Sequence, residues 1–403
     1  MSEKPSRDAK PRDAKPARRV PLARPTFGPE EEALLLETLR SGWVTQGPRV
    51  EAFEERFARV VGAEHAVAVS SGTAALFLSL HTLGIGAGDE VVVPSLTYIA
   101  SVNSIVHVGA TPVLVDVDED SYNVDPAAVA SALTSRTRAI LVVHQLGLPV
   151  DLDALQKLAD ANGIALIEDS ACAMGSSHGG RPVGSSANLG CFSFHPRKVL
   201  VTGEGGMITT PDRKLAARMR RLRHQGMSTS DHERHRADRV ITERYEEVGY
   251  NLRMSDLHAA VGIAQLEKLD TFVSARRARG AYYNAQLAAL PQVAVRGCPA
   301  YALPNYQSYV LRIPGIDRET RDRVLDSLHA RGVATRRGVM AVHREVAYRG
   351  AHCSGSLSVS EQLDDQTLLL PMYNDLSQDD QDFVLDRFRE VLDEWVPRDG
   401  ARS

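Results

Sequence analysis

The sequence has little cysteine, no long apolar run and no excess of basic charge, and each lack removes a class of function. Its four cysteines, Cys172, Cys191, Cys298 and Cys353, include no CxxC pair and no metal-ligand spacing. In a chain of 403 residues they read as reduced thiols of a cytoplasmic protein rather than as a disulfide framework or a zinc site. No apolar stretch approaches the roughly 18 residues of a membrane span. Lysine and arginine number 47 against 51 aspartates and glutamates, a net charge of −4. That balance, with a pI near 6.4, carries no electrostatic footprint for nucleic acid. There is no GxxxxGK[ST] stretch. GIGAG (84–88) follows a helical pattern and precedes a strand, the reverse of the dinucleotide-binding order, and reads as a turn. HERH (232–235) has no second ligand cluster near it in sequence, so no metal is expected.

What is present is an ordinary soluble globular composition, at a length that suggests two or three domains. The first residues are polar and basic, with RDAKP twice in tandem, at Arg7–Pro11 and Arg12–Pro16. Without an apolar core this stretch reads as a disordered tail over residues 1–20 and not as a signal peptide. From about Ala66 to Thr210, seven apolar runs alternate with amphipathic stretches: AVAVSS, EVVVPS, TPVLVDV, RAILVVHQ, IALIED, GCFSFH and GMITT. Continuous apolar strands without polar alternation are buried on both faces, as in a parallel or mixed sheet covered by helices. Asp125, followed by Pro126, and Ser377 stand where helix N-caps belong, and further helices follow from Asp151 and Ser255. The spacing predicts an α/β large domain over 21–270 and a smaller α+β domain over 271–403. A polar stretch, about 224–251, reads as a long loop near a site or an interface.

In open α/β sheets, ligands bind beyond the carboxyl ends of the strands. Three polar elements fall there. In SSGTAAL the strand stops at Ser71, Gly72 turns, and Thr73 opens a helix; the joint is either plain or an anion cup for a phosphate. In IALIEDSA, Asp169 ends an apolar strand, where a carboxylate is costly unless paired. It could hold a proton on a pyridine nitrogen, ligate a metal, or bond to a neighbouring loop. In CFSFHPRKVLVTGEGG, Ser193 and Lys198 flank a strand end before a glycine turn, and alone Lys198 reads as a solvated lysine. Together, a phosphate cup, a buried carboxylate and a lysine are what pyridoxal phosphate requires: lysine for the Schiff base, an acid for the ring nitrogen, a helix N-terminus for the phosphate.

Over about residues 20–395 the chain resembles the pyridoxal-phosphate-dependent sugar aminotransferases of the DegT/DnrJ/EryC1/StrS family. The stretches that carry the resemblance are GPRVEAFEERFA, SSGTAAL, VVVPSLTYIASVNSIVHVGATPVLVDVD, IEDSACAMGS, FSFHPRKVLVTGEGGM and GYNLRMSDLHAAVGIAQLEKLD. The resemblance implies an aspartate-aminotransferase-like fold with a mixed, mostly parallel seven-stranded sheet. It implies that Lys198 forms the Schiff base and then moves a proton, and that Asp169 pairs with the pyridine nitrogen. By the same resemblance Gly72, Thr73 and Ser193 hold the phosphate, and Tyr98 stacks on the ring. Asn251 falls where the family reaches into a neighbouring subunit's phosphate site, which implies a homodimer with shared active sites. His343 is assigned to the sugar substrate. Cys172 stands near the ring where the family commonly has Gln or His, and a thiol is a poor hydrogen-bond partner. A dehydratase branch replaces the lysine with histidine, so Lys198 favours transamination. The implied reaction moves an amino group from glutamate or glutamine to a nucleotide-linked keto sugar, a 4-keto or 3-keto deoxysugar, in amino-sugar, polysaccharide or antibiotic biosynthesis. The alternatives are a keto-cyclitol substrate, a sugar dehydratase, and a non-catalytic regulatory protein. Neither nucleic acid nor membrane is an expected partner, and His195 and Arg197 have no assigned role.

Overall fold

All seven apolar runs pair into one sheet. The structure, a computed structural model, describes residues 18–396 apart from 186, 230–233, 235, 236 and 239. The RDAKP tandem and, apart from Arg234, the HERH stretch lie outside the described residues. In chain order the first strands are β1 (His65–Val69), β2 (Glu90–Pro94), β3 (Thr111–Val115), β4 (Thr137–Val143) and β5 (Ala165–Asp169). Two short strands follow, β6 (Ser177–His178) and β7 (Arg181–Pro182), then β8 (Leu189–Ser193) and β9 (Gly206–Thr210). The large sheet has the order β1-β9-β8-β5-β4-β2-β3, with β9 antiparallel to both neighbours and the other pairings parallel.

Helices cover both faces, which is why the strands read as unbroken apolar runs. Those around the sheet are α1 (Pro29–Ser41), α2 (Pro48–Val61), α3 (Gly72–Thr82), α4 (Ala100–His107), α5 (Pro126–Ala132), α6 (Leu152–Asn162), α7 (Arg213–Leu222) and α8 (Asp256–Glu267). Strand alternation sends Ala139, Leu141 and Val143 of β4 into one core with α3, α4 and α7. Ile140 and Val142 go into the opposite core with α5 and α6. Each such Leu, Ile or Val is worth about 1.5–3 kcal/mol when fully buried. The two expected caps form, Asp125 accepting from Ala127 N and Ser377 from Asp380 N, and Asp151 and Ser255 also cap their helices, accepting from Ala154 N and His258 N.

A second unit is built on α9 (Leu269–Leu287), β10 (Ala294–Val295), β12 (Tyr309–Arg312), α10 (Arg318–Ala330), β13 (Arg336–Arg337), α11 (Ser358–Gln366), β14 (Thr367–Leu370) and α12 (Gln378–Trp395). Its strands form an antiparallel sheet in the order β10-β12-β14-β13; β11 (Ala302–Leu303) instead joins β6 and β7. Two features differ from the sequence-based boundaries. Residues 18–20, read there as tail, pack on this unit. Val20 is 1% exposed within its core, its N–H donates to Gly332 O, and Arg18 pairs with Asp380 at 2.6 Å. The next residues follow the same path, with Met372 N donating to Leu22 O at 3.0 Å. A β-branched apolar residue that finds two backbone partners and a core ends the tail earlier than composition shows. And α9 serves both units: Leu269, Phe272 and Val273 enter a core of the large unit, Tyr283 and Leu287 that of the small one.

One packed cluster fixes the strand end that matters most for the site. Phe53 and Phe57 of α2 meet Phe192 and Phe194 edge-on, with centroids 5.0–5.7 Å apart. These rings flank Ser193 and anchor the chain just before Lys198. Gly262 of α8 lies against them, where an added Cβ would stand 2.6 Å from the Phe53 ring. Gly262→Ala is therefore expected to cost about 1–3 kcal/mol through overpacking. Urea unfolding of the variant, with the visible absorbance of bound cofactor followed alongside, checks both the stability loss and its transmission to the site.

Candidate active site

The site forms where β4, β5 and β8 end and α3 begins. Ser71 caps α3, its hydroxyl accepting from Ala74 N at 3.1 Å, and the helical ladder starts with Ala75 N donating to Ser71 O. The Gly72 and Thr73 N–H groups therefore have no acceptor within the helix, which makes this terminus an anion cup. Ser193 closes the cup. An added Cβ on Gly72 would stand 2.7 Å from Ser193 Cβ, so the backbone can approach the serine this closely because residue 72 is glycine. The TGEGG turn has the same logic. Gly205 sits at φ +154°, and a side chain at Gly206 would strike the Ser71 carbonyl. The turn lets β9 leave between β1 and β8 without blocking the cup.

Asp169 ends β5 and is 6% exposed. One oxygen accepts from Ser101 Oγ at 2.7 Å and the other from Ala171 N at 3.1 Å; among the described residues no cation pairs with it. A carboxylate this buried is costly without a positive partner, so the donor set suits a protonated ring nitrogen. Ser101 belongs to the first turn of α4, and its own oxygen lies 2.9 Å from Thr97 Oγ1. Sequence reasoning missed Ser101, although it stands three residues after Tyr98 in SLTYIAS.

Glu168 and His144 fasten the end of β5 from the other face. Both are fully buried, with Nε2 and Oε2 2.9 Å apart. Val150 N donates to His144 Nδ1, which places the ring proton on Nε2, facing Glu168. Glu168 also accepts from Gly184 N and Ala187 N, and the His144 N–H donates to the Asp169 carbonyl.

Lys198 follows a tight turn in which its N–H donates to His195 O at 2.8 Å. Its Nζ donates to Cys172 Sγ at 3.1 Å, and among the described residues no carboxylate pairs with it. The Cys172 carbonyl is held in turn by Asn305 Nδ2 at 2.9 Å. Cys172, expected near the ring, stands beside Lys198 in the cleft and holds it through the weak contact a thiol makes.

Lys198, Asp169, Cys172 and Ser193 open onto one cleft of about 290 Å³ between the two units, as do Gly72, Thr73 and Tyr98. Tyr98 is 61% exposed on its wall. These groups match what the cofactor asks of a protein: an anion cup, a buried unpaired carboxylate and a lysine free of ion pairs. Two expected residues lie elsewhere. Asn251 is exposed, bridges His224 through its backbone, and does not line the cleft of its own chain. His343, expected at the sugar, also lies off the cleft. Its Nδ1 meets Ser95 Oγ at 2.7 Å and its Nε2 meets Glu361 Oε1 at 3.0 Å. The reason is the path of the backbone: Thr97 N donates to Met340 O and Val342 N to Ser95 O, so segment 340–343 straps the small unit to the loop bearing Tyr98. His343 is part of that strap.

Comparison with known proteins agrees with the geometry. The DegT/DnrJ/EryC1/StrS aminotransferase family profile matches residues 25–389. The aminotransferase TlmJ from Streptoalloteichus hindustanus is 36% identical, with a TM-score of 0.86 over 93% of this chain and 99% of that one. DesV from S. venezuelae, solved in complex with a ketimine intermediate, is 37% identical, with a TM-score of 0.84 over 93% and 98%. A putative sugar aminotransferase, Spr1654 from Streptococcus pneumoniae in its PMP form, is 27% identical, with a TM-score of 0.87 over 94% and 100%.

The site also carries an acid sensitivity. Burial lowers His195, with Arg197 adding to it, and burial lowers His258 beneath the TGEGG turn; both fall below the ordinary 6.5. The folded state then binds fewer protons than the unfolded chain just below that value. Their contribution to stability is complete above about pH 6.5 and is lost as pH falls through the lowered folded values. Denaturant midpoints measured from pH 8 to 5 are expected to decline below about 6.5, and His258→Gln is expected to flatten that decline.

Proposed function

Because the chain belongs to the DegT/DnrJ/EryC1/StrS aminotransferase family, we propose that it aminates a nucleotide-linked keto sugar, with glutamate or glutamine as the amino donor. That it is an aminotransferase with pyridoxal phosphate as cofactor follows from the family and its relatives. The observation that carries the sugar reading is the cleft: its lining runs from Lys198 and the cofactor groups on to Arg336, Gly338, Val339 and Met340 of the small unit. The likeness to an enzyme described as a putative sugar aminotransferase supports it.

The cofactor, when bound, carries the amino group between substrates and acts as an electron sink. The protein's part can be assigned atom by atom. The Gly72 and Thr73 N–H groups and the Ser193 hydroxyl would bind the phosphate. Asp169 would hold the proton on the ring nitrogen, its own oxygens oriented by Ser101 and Ala171 N. Tyr98 would cover the ring from the cleft wall. Lys198 would take and return the proton at the substrate carbon. Among the described residues no carboxylate pairs with Lys198 Nζ, whose hydrogen bond goes to Cys172 Sγ. Asn251, exposed in its own chain, is proposed to complete the phosphate site of a second subunit in a homodimer. Among the described residues no helix is long and apolar enough to cross a membrane.

Borohydride treatment of the purified enzyme is expected to fix the cofactor's mass to the peptide containing Lys198. Lys198→Ala should lose that mass and at least about 10²–10⁴ in rate, the usual share of a proton-transfer group. A variant that still aminates at the parent rate would overturn the assignment. A panel of nucleotide-linked keto sugars and keto cyclitols, scored by glutamate-dependent conversion, tests the substrate; preference for the cyclitols would overturn the sugar reading.

A further inference from the structure

Arg336 and Arg337 are neighbours on β13, and strand alternation sends them to opposite faces. Arg337 meets carboxylates, Glu345 at 2.9 Å and Asp364 at 3.7 Å. Arg336 lines the cleft instead, and among the described residues nothing pairs with its guanidinium. That is uncommon in its own unit, where Arg312, Arg318, Arg321, Arg331 and Arg344 each pair with an acidic side chain. Arg197 lines the same cleft from the large unit and likewise has no ion-pair partner among the described residues. Its position is set from across the cleft, since Gln307 Nε2 of the small unit donates to the Arg197 carbonyl at 2.7 Å.

The charges along the cleft do not balance. Its lining holds Arg197, Lys198 and Arg336 against Asp169 and Glu204, and Asp169 faces Ser101 and the Ala171 N–H. Guanidinium groups are the natural partners of oxyanions, which they bind through charge-assisted hydrogen bonds. The phosphate cup at Gly72 and Thr73 is built from α3 and does not need them.

We infer that Arg197 and Arg336 form a subsite for an oxyanion carried by the substrate, one arginine from each unit, separate from the phosphate cup. The inference rests on the aminotransferase reading and adds a substrate contact to it. Both half-reactions take place at Lys198, so donor and acceptor occupy the cleft in turn. The oxyanion is either a carboxylate of the amino donor or the diphosphate of the nucleotide-linked acceptor, and the two half-reactions separate these sources.

The test uses holoenzyme carrying Arg336→Gln, Arg197→Gln, Arg336→Lys, or Arg349→Gln as an exposed control. Binding of glutarate and of inorganic pyrophosphate is measured by calorimetry. Each half-reaction is followed by cofactor absorbance, with glutamate or with a nucleotide-linked keto sugar. Arg336→Gln and Arg197→Gln are expected to weaken binding of one probe, and of the matching substrate, roughly ten- to a hundredfold, the loss of a hydrogen bond to a charged group. The limiting rate should change by only a few-fold, cofactor affinity should not change, and Arg336→Lys should recover part of the binding. Loss of glutarate binding identifies the donor carboxylate, and loss of pyrophosphate binding the acceptor diphosphate. Unchanged binding of both probes overturns the subsite. So does a loss confined to cofactor affinity, which would assign the arginines to the cofactor's phosphate. If the parent enzyme aminates no keto sugar, the proposed function fails, while the two probes still judge the arginine pair.

Discussion

The structure depends on keeping a carboxylate buried with no cation beside it among the described residues. Asp169 ends an apolar strand at 6% exposure, and its oxygens face a hydroxyl and a peptide N–H. Desolvation on this scale calls for a compensating positive partner. The surroundings hold the group in place and, on the proposed reading, leave that partner to the cofactor. Ser101 comes from the first turn of α4, Ala171 from the chain just beyond β5, and the His144–Glu168 pair grips the same strand end from behind. Parallel pairing of β4, β5 and β8 brings these elements to one edge, so the sheet topology serves the charge.

Backbone proximity is the second constraint. The cup proposed for the phosphate forms because Gly72 lets α3 start against Ser193, and because Gly205 and Gly206 let β9 leave without striking Ser71. The aromatic cluster of Phe53, Phe57, Phe192 and Phe194 then holds β8 on both sides of Ser193. Sites assembled on strand ends and a helix terminus inherit the rigidity of the core, which suits a reaction that needs a lysine, a ring and a phosphate in fixed relation.

The small unit closes the cleft through contacts that do not look functional one at a time. Segment 340–343 straps onto the loop bearing Tyr98, and Gln307 holds the carbonyl of Arg197. His343 is a case where residue type misleads. A histidine in the small unit invites a substrate role, but its ring bridges Ser95 and Glu361, and the strap fixes it there. Arg336 is the reverse case, a residue in an ordinary basic pair that the strand pleat turns toward the cleft.

The sequence by itself determined the sheet, its seven strands, the main caps and the placing of Gly72–Thr73, Asp169 and Lys198 at element ends that line one cleft. These are local matters: apolar runs, cap residues and strand-end polar groups act within a few positions of one another, and composition records them. Tertiary structure decided the rest. Val20 belongs to the small unit because the chain returns to pair with Gly332 and Ala334. Ser101 orients Asp169 across 68 residues of sequence. Arg197 and Arg336 share a cleft because two units meet. None of these leaves a periodic trace, because each depends on which elements pack together, and that is set by burial summed over whole cores rather than by any single stretch.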